Sequence, residues 1–598
     1  MKQIEKLRNR LRGLTDAISR FPLTVAFLLV AAGINTTAIN TEDSDYLKYL
    51  LTLVIGAFLG AVVQTVYERY FNKSTTRAIL MGGVTLLTIG YYLIIMSVPK
   101  LSMEIGIRTA VALFALLIAF IWVPAIKSKI SFNESFMVAF KAFFITLFFA
   151  GVIYGGISII ILAVDQLLFN VDYKSYSHTA NIVFIIFAPM YFLSLIPVYP
   201  GERDKNSGKE IIEQQDNLVN KMANCPKYLE ILISYIIIPL TAIFTIILIL
   251  YIILNIGDKF WSNNLLEPMI VSYSITVILV YILASRLQNK FSELFRIIFP
   301  KVLIPIVLFQ TISSIIRIGD MGITHTRYYV ILYCIFATAA GIVFSIKPVQ
   351  KNGIVAAMLI GFSIISILPP VDAFTISRIS QINLLESVLL KNNMLEDNII
   401  KPNSLISEDD KQKIIKSVNY LGMMEYTNKT PWLPANFNYY EDFYKAFGFY
   451  QYDEPDDKNQ YVNVNLPQGT LIDIAGYDYM VFTNIYKSDK DVIDEVMIGE
   501  IDKSGKIYTL TKNISKDQND IKLVDENKQE ILSFSMKEIF DKFENFHTDN
   551  GMISADEATF TIENDQATIA LVIQNLNMDN KVDKEYYGAD FYVLVKIK

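Results

Sequence analysis

About eleven apolar stretches of membrane-crossing length fall within the first 372 residues of this 598-residue chain, and none falls within the last 226. A helix needs about 20 predominantly apolar residues to cross ~30 Å of hydrocarbon. On that criterion spans are expected near 21–39, 47–67, 78–97, 106–126, 137–167, 180–199, 228–256, 267–285, 298–316, 327–347 and 352–372. The expected fold is therefore an α-helical polytopic membrane bundle of about eleven transmembrane helices, followed by an extracytoplasmic α+β domain that is mostly β and sandwich-like. Four regions follow: a basic amphipathic cytoplasmic helix (1–20), the bundle (21–372), a helical connector (373–435) and a β-rich domain (436–598).

Charge separates the same halves and gives them a direction. Residues 373–598 carry 38 acidic and 23 basic side chains, net −15, whereas the preceding residues carry 21 and 30, net +9. Short cytoplasmic loops are enriched in Lys and Arg. The N-terminal tail and every second loop hold 21 basic residues and the intervening loops seven, which places the N-terminus in the cytoplasm and, across an odd number of spans, the C-terminal domain outside. The apolar run from Phe21 lacks a small-residue cleavage site and begins a ladder of further spans, so it reads as a retained first helix. Ile4, Leu7, Leu11, Leu14 and Ile18 share one helical face opposite Arg and Lys, as in a helix lying on the inner membrane surface; a basic tail that only sets topology fits equally well.

Spans 5 and 7 run to about 30 residues, or ~45 Å of helix, so they must tilt, kink or protrude. Pro239 is a candidate kink in span 7. Pro300 and Pro305 leave open a broken helix in span 9. Gly56-x-x-x-Gly60 and Gly151-x-x-x-Gly155 would let neighbouring backbones approach closely.

Beyond Asp372 two helices are expected, Ile382–Asn392 and one capped by Ser407 running to about Leu421. Seven β-patterned segments follow, at 462–466, 477–485, 496–501, 506–510, 558–562, 567–573 and 591–597, with a helix at 536–546. Asp502-Lys-Ser-Gly-Lys506 reads as a hairpin turn.

Chemistry-bearing motifs are scarce. His178, His325 and His547 are far apart, and no zinc spacing, phosphate-binding loop or nucleophile elbow occurs. The only cysteines, Cys225 and Cys334, offer no disulfide framework. Asp453–Asp457 and the pair Asp579 and Asp583 lack the alternating ligands of a calcium loop. No metal, cofactor or nucleic acid is expected. Attention falls instead on the outer ends of the spans. Arg317, Asp320, Thr324, Arg327 and Tyr328 lie in or beside the loop joining spans 9 and 10; the two guanidinium groups can pair with Asp320 or receive an anion. Asp165 and Asp372 are acidic groups at similar depth, and Gln64 and Gln310 are uncharged polar groups able to bond between helices.

The tracts Phe299-Pro-Lys-Val-Leu-Ile-Pro305, Arg317-Ile-x-x-x-Gly-Ile-Thr-x-x-Arg-Tyr-Tyr329 and Pro369-Pro-Val-Asp-Ala-Phe-Thr-Ile-Ser-Arg-Ile-Ser-Gln381 resemble a bacterial family of polytopic membrane proteins known only as a domain of unknown function, the 4153 type. The resemblance runs from about Phe21 to near Leu421 and implies a cytoplasmic-membrane protein, with no implied activity or cofactor. The expected role is a non-enzymatic envelope protein presenting an outer-face domain for binding, sensing or assembly. The alternative is a transporter or a lipid- or polymer-handling protein that binds an anionic group at the outer rim. Expected partners are the bilayer and, beyond it, envelope proteins, lipid headgroups or an anionic polymer.

Overall fold

Eleven helices among the described residues are long and apolar enough to cross a membrane. The computed structural model describes residues 14–598, apart from 43, 99–100, 202–208, 256–265, 435–436, 452–460, 468, 487–493, 515–518, 544–550 and 580–585. Most of the basic tail, His547, Asp453–Asp457 and Asp583 thus lie outside the described residues, as do the side chains of Asp320 and Asp579. The chain divides into two compact units, Met1–Phe449 and Tyr450–Lys598.

In the first unit the spans are α1 (Pro22–Thr41), α2 (Leu47–Tyr70), α3 (Ser74–Met96), α4 (Met103–Ala125), α5 (Phe132–Leu167), α6 (Lys174–Ser194), α7 (Lys227–Leu254), α8 (Glu267–Arg286), α9 (Lys290–Ile316), α10 (His325–Ile346) and α11 (Val349–Ile367). Their alternating direction gives the bundle two ends. One carries the short amino-terminal helix; the other carries residues 368–449, which form a cap.

Local sequence explains the departures from regular helix. Gly56 and Gly60 let α2 sit against its neighbours: a Cβ at Gly56 would lie 2.9 Å from Thr88 of α3, and one at Gly60 2.9 Å from Thr24 of α1. Gly151 and Gly155 meet nothing within 4 Å, so this second small-residue pair does not pack within the described chain. In α6 and α7 a wide π-helical segment, Asn181–Phe187 and Leu232–Ile237, stands just before Pro189 and Pro239. Proline has no N–H to give its preceding turn, and the chain takes up the mismatch as a wider turn. By contrast α9 continues unbroken through Pro300 and Pro305, so the broken helix left open by the sequence does not occur.

The cap begins earlier than the sequence pattern suggests. Span α11 stops at Ile367, before Pro369-Pro370, and α12 (Ala373–Lys391) starts nine residues ahead of the expected Ile382. Its N-cap is Asp372, whose side chain accepts from the Phe374 and Thr375 N–H groups. A short hairpin, β1 (Leu395–Glu396) and β2 (Ile399–Ile400), leads to α13 (Glu408–Met423), capped by Ser407 with Glu408, Asp409 and Asp410 in its first turn. Phe374, Leu389, Ile414, Leu421, Phe443 and Phe447 are among the residues that form the buried core of the cap.

The second unit holds two antiparallel sheets. One has the order β3 (Tyr461–Asn465), β10 (Ala567–Asp579), β11 (Tyr586–Ile597), β4 (Tyr479–Tyr486), with β9 (Thr559–Glu563) also on β10. The other is the meander β5 (Asp494–Lys503), β6 (Lys506–Ile514), β7 (Asn519–Val524), β8 (Glu530–Ser535). Ile569, Leu571, Phe591 and Val593 of the first sheet share one core with Leu510, Ile521, Leu523 and Phe534 of the second, the arrangement of a sandwich. Helix α14 (Met536–Phe543) buries Ile539, Phe540 and Phe543 in that core. Ser504 and Gly505, with φ of 58° and 80°, make the two-residue β5–β6 hairpin.

Candidate functional site

A charge cluster built around arginine stands at each end of the bundle. At the cap end Arg108 of α4 donates from Nη2 to Asp372 Oδ1 at 2.6 Å and from Nε to Glu104 Oε1 at 3.0 Å. Its Nη1 donates to the Ile367 carbonyl, and its guanidinium lies 5.0 Å from the centre of the Phe374 ring. The second oxygen of Glu104 accepts from the Tyr426 hydroxyl at 2.7 Å. One arginine thereby ties α4 to the end of α11 and the start of α12, and its carboxylate partner reaches the far side of the cap.

Asp372 is fully buried. Burial alone pushes its carboxyl up, but the bonds from Thr375, the Arg108 charge and the Phe374 N–H outweigh it and hold the group below the usual carboxylate range. Burial, and then the Glu104 carboxylate that accepts its proton, drive the Tyr426 hydroxyl well above the usual phenol range.

A neutral network lies beside the ion pair. The backbone N–H and Nδ1 of His325 both lie 3.0 Å from the Tyr420 oxygen. Tyr420 donates to Ser377 Oγ at 2.9 Å, and Ser377 donates onward to the Phe374 carbonyl. With its hydrogen committed to Ser377, Tyr420 can only accept from the imidazole, which assigns the proton to Nδ1.

Of the residues singled out in the α9–α10 loop, at this same end, Thr324, Arg327 and Tyr328 are engaged with backbone. Arg327 Nη1 donates to the Gly322 carbonyl at 2.7 Å and to that of Arg317 at 3.4 Å. Thr324 caps α10 by accepting from the Arg327 N–H, and Tyr328 donates to the Val371 carbonyl at 2.7 Å. Gly322, with φ of 65°, turns the loop where a Cβ would lie 2.8 Å from Gln381. Asp165 is separate: its Oδ1 accepts from the Val171 N–H at 2.7 Å and closes the turn after α5.

The opposite end has its own fork. Arg20 makes a two-point contact with Glu68, 2.9 Å from Nε and 2.8 Å from Nη2, and donates to the Ile196 and Pro197 carbonyls. Gln64 donates to Glu68 at 2.8 Å and accepts from Arg77 Nε at 3.0 Å, while Arg77 returns to the Arg20 carbonyl at 2.8 Å. Gln310 is buried and donates to Ser314 within its own helix. Two clefts between the ends are apolar. One of about 410 Å³ is lined by Phe114, Ile118, Ile278, Phe336 and Val355 among others, and one of about 120 Å³ by Leu28, Ala57 and Phe120 among others. Neither is lined by Gln64, Asp165 or Gln310.

Residues 23–400 match a family defined as a domain of unknown function, DUF4153. The chain belongs to this family. No curated protein and no solved structure matches it. The DUF4153 segment contains all eleven spans but for the first residue of α1, together with the Arg108–Asp372 pair and α12, and it stops before α13. Sequence reasoning passed over Glu104, Arg108, Glu68 and Arg20 as partners, although a charge within a few residues of a span end is itself a signal of a pair or an interface. Among the described residues no group of three His, Cys, Asp or Glu is placed to hold a metal.

Proposed function

We propose that this protein is a non-enzymatic envelope protein of the bacterial cytoplasmic membrane, whose bundle serves as a fixed base presenting the β-rich C-terminal domain on the extracytoplasmic side for binding, sensing or assembly. The observation that carries this reading is the Arg108–Glu104–Asp372 fork, which fastens the cap to α4 with both carboxylates engaged by the one guanidinium. The apolar clefts between the spans support the same reading, because a route for a polar substrate would need polar lining. Orientation rests on the excess of Lys and Arg at the amino-terminal end. A reporter active only outside the cytoplasm, fused after Lys598, is expected to be active, and a cytoplasm-only reporter at the same place silent. The opposite pair of results would remove the proposal.

The competing reading is a transporter, or a lipid- or polymer-handling protein, with an anion held by Arg317 and Arg327. It requires that Gln at both positions abolish activity in a folded protein. The carbonyl contacts of Arg327 lead to a different expectation: the double variant is present at a reduced folded level in the membrane, read by size-exclusion profile after extraction, without a separate anion-dependent defect.

A further inference from the structure

The outer face of the β3–β10–β11–β4 sheet carries a grid of amides beside aromatic rings. Register aligns Asn463, Asn577, Gly588 and Tyr486 in one row across the four strands, and Asn465, Asn575, Asp590 and Asn484 in the next. The four carboxamides of β3 and β10 close a ring of hydrogen bonds. Asn463 donates to Asn577 at 2.6 Å, Asn577 to Asn575 at 2.5 Å, Asn575 to Asn465 at 2.5 Å, and Asn465 back to Asn463. A carboxamide has two N–H donors and two oxygen lone pairs, and the ring engages one of each on Asn463, Asn465 and Asn575. The ring therefore fixes the amides in place while Asn463 and Asn484 stay exposed and Asn465, Asn575 and Asn577 half-exposed.

Aromatic surface adjoins it. The ring of Tyr486 lies across Gly588, where a Cβ would come within 2.2 Å of it, and its hydroxyl donates to Asp590 at 3.0 Å. That ring is thus held at both ends while remaining 40% exposed. Phe482, 54% exposed, packs against Tyr592 with ring centres 5.0 Å apart. Residues two apart on a strand point the same way, so the two rings stand roughly 13 Å apart, the reach of two to three pyranose rings, with Asn484 between them.

We propose that this face binds a neutral glycan. Each sugar hydroxyl both donates and accepts, which matches a carboxamide with one donor and one acceptor to offer, whereas the apolar face of a pyranose ring matches an exposed aromatic ring. A polyanion would call for guanidinium or ammonium groups, and the eight aligned positions hold none but do hold the Asp590 carboxylate; Lys512 of β6 reaches the row at Asn484, where its Nζ donates to the backbone carbonyl at 2.7 Å and to Oδ1 at 3.2 Å. A purely apolar partner would strip water from the amides without replacing their hydrogen bonds, at a cost for each group left unpaired. The proposal names the partner class for the outer-face reading above and rests on that reading only for the compartment in which the glycan is met.

The test uses the full chain in detergent, titrated calorimetrically with cellotetraose and with chitotetraose, which differ in whether they carry acetamido groups. Binding of at least one is expected, weakened about tenfold or more in Tyr486→Ala and in Asn463→Ala/Asn575→Ala, but within about threefold of the parent in Tyr486→Phe, which keeps the aromatic ring. Unchanged melting temperatures confirm that the variants are folded; if Asn463→Ala/Asn575→Ala unfolds, Tyr486→Ala and Phe482→Ala decide. No heat with either sugar at millimolar concentration, or binding that survives Tyr486→Ala and Phe482→Ala, overturns the proposal. A cytoplasmic C-terminus with sugar binding intact would remove the envelope reading alone, and an outside C-terminus with no sugar binding would remove this one alone.

Discussion

Asp372→Ala is expected to destabilise the bundle by about 2–5 kcal/mol, the cost of losing a charge-assisted hydrogen bond to Arg108 and a buried helix cap together. The carboxylate does two jobs in one place, because the oxygen that pairs with Arg108 also accepts from the Phe374 and Thr375 N–H groups. Alanine removes the charge and the helix cap together, and leaves Arg108 with Glu104 and the Ile367 carbonyl. Asp372→Asn should fall between, since its amide oxygen can still cap α12 but its charge is gone. Thermal unfolding of the extracted protein measures the difference, and curves superimposable on the parent's would show that the fork holds nothing. The pH dependence has a defined sign. The folded carboxyl lies below its usual value, so its contribution is complete above the unfolded pKa of about 4 and is lost as pH falls through the lower folded value. Between about pH 5 and 8 the Asp372 contribution should therefore be flat.

Glu68→Gln should have the next largest effect, about 3 kcal/mol or more, for a related reason at the opposite end. The substitution keeps the shape and removes the charge, leaving the 13% exposed Arg20 guanidinium with one neutral amide oxygen and the Ile196 and Pro197 carbonyls. Glu68 also accepts from Gln64, which fixes the orientation of the amide that receives Arg77. Exposed pairs such as Lys413–Asp409 are worth a small fraction of this. A melting temperature unchanged in Glu68→Gln but lowered in Asp372→Ala would mean that only the cap end is held by charge.

The spans were legible because about 20 apolar residues in a row have one cheap solution in a bilayer, and all eleven lie where hydropathy puts them. Pairing was not legible. Arg108 meets Asp372 across 264 positions and Arg20 meets Glu68 across 48, and no local pattern selects these partners over Arg317, Arg327 or Asp165. The β7–β8 hairpin was missed because its short strands carry Asp520, Lys522 and Glu530 among the apolar positions, so alternation is weak. Both faces of β7 are mostly covered, and the polar residues there are held by neighbours, as where Lys522 pairs with Glu530. The aligned amides escaped notice for the opposite reason. Val462-Asn-Val-Asn reads correctly as a strand, but the asparagines that complete the ring come from a strand more than a hundred residues later.

The 36-residue α5 buries nine residues between Phe132 and Ala150 and none beyond Ala150, so acyl chains are the solvent of its second half. At 1.5 Å per residue the whole helix is ~54 Å long, far beyond the hydrocarbon thickness, and mismatch costs fractions of a kcal/mol per Å. Protein therefore fixes α5 up to Ala150, and the half beyond it is where membrane thickness and lipid composition meet this molecule most directly.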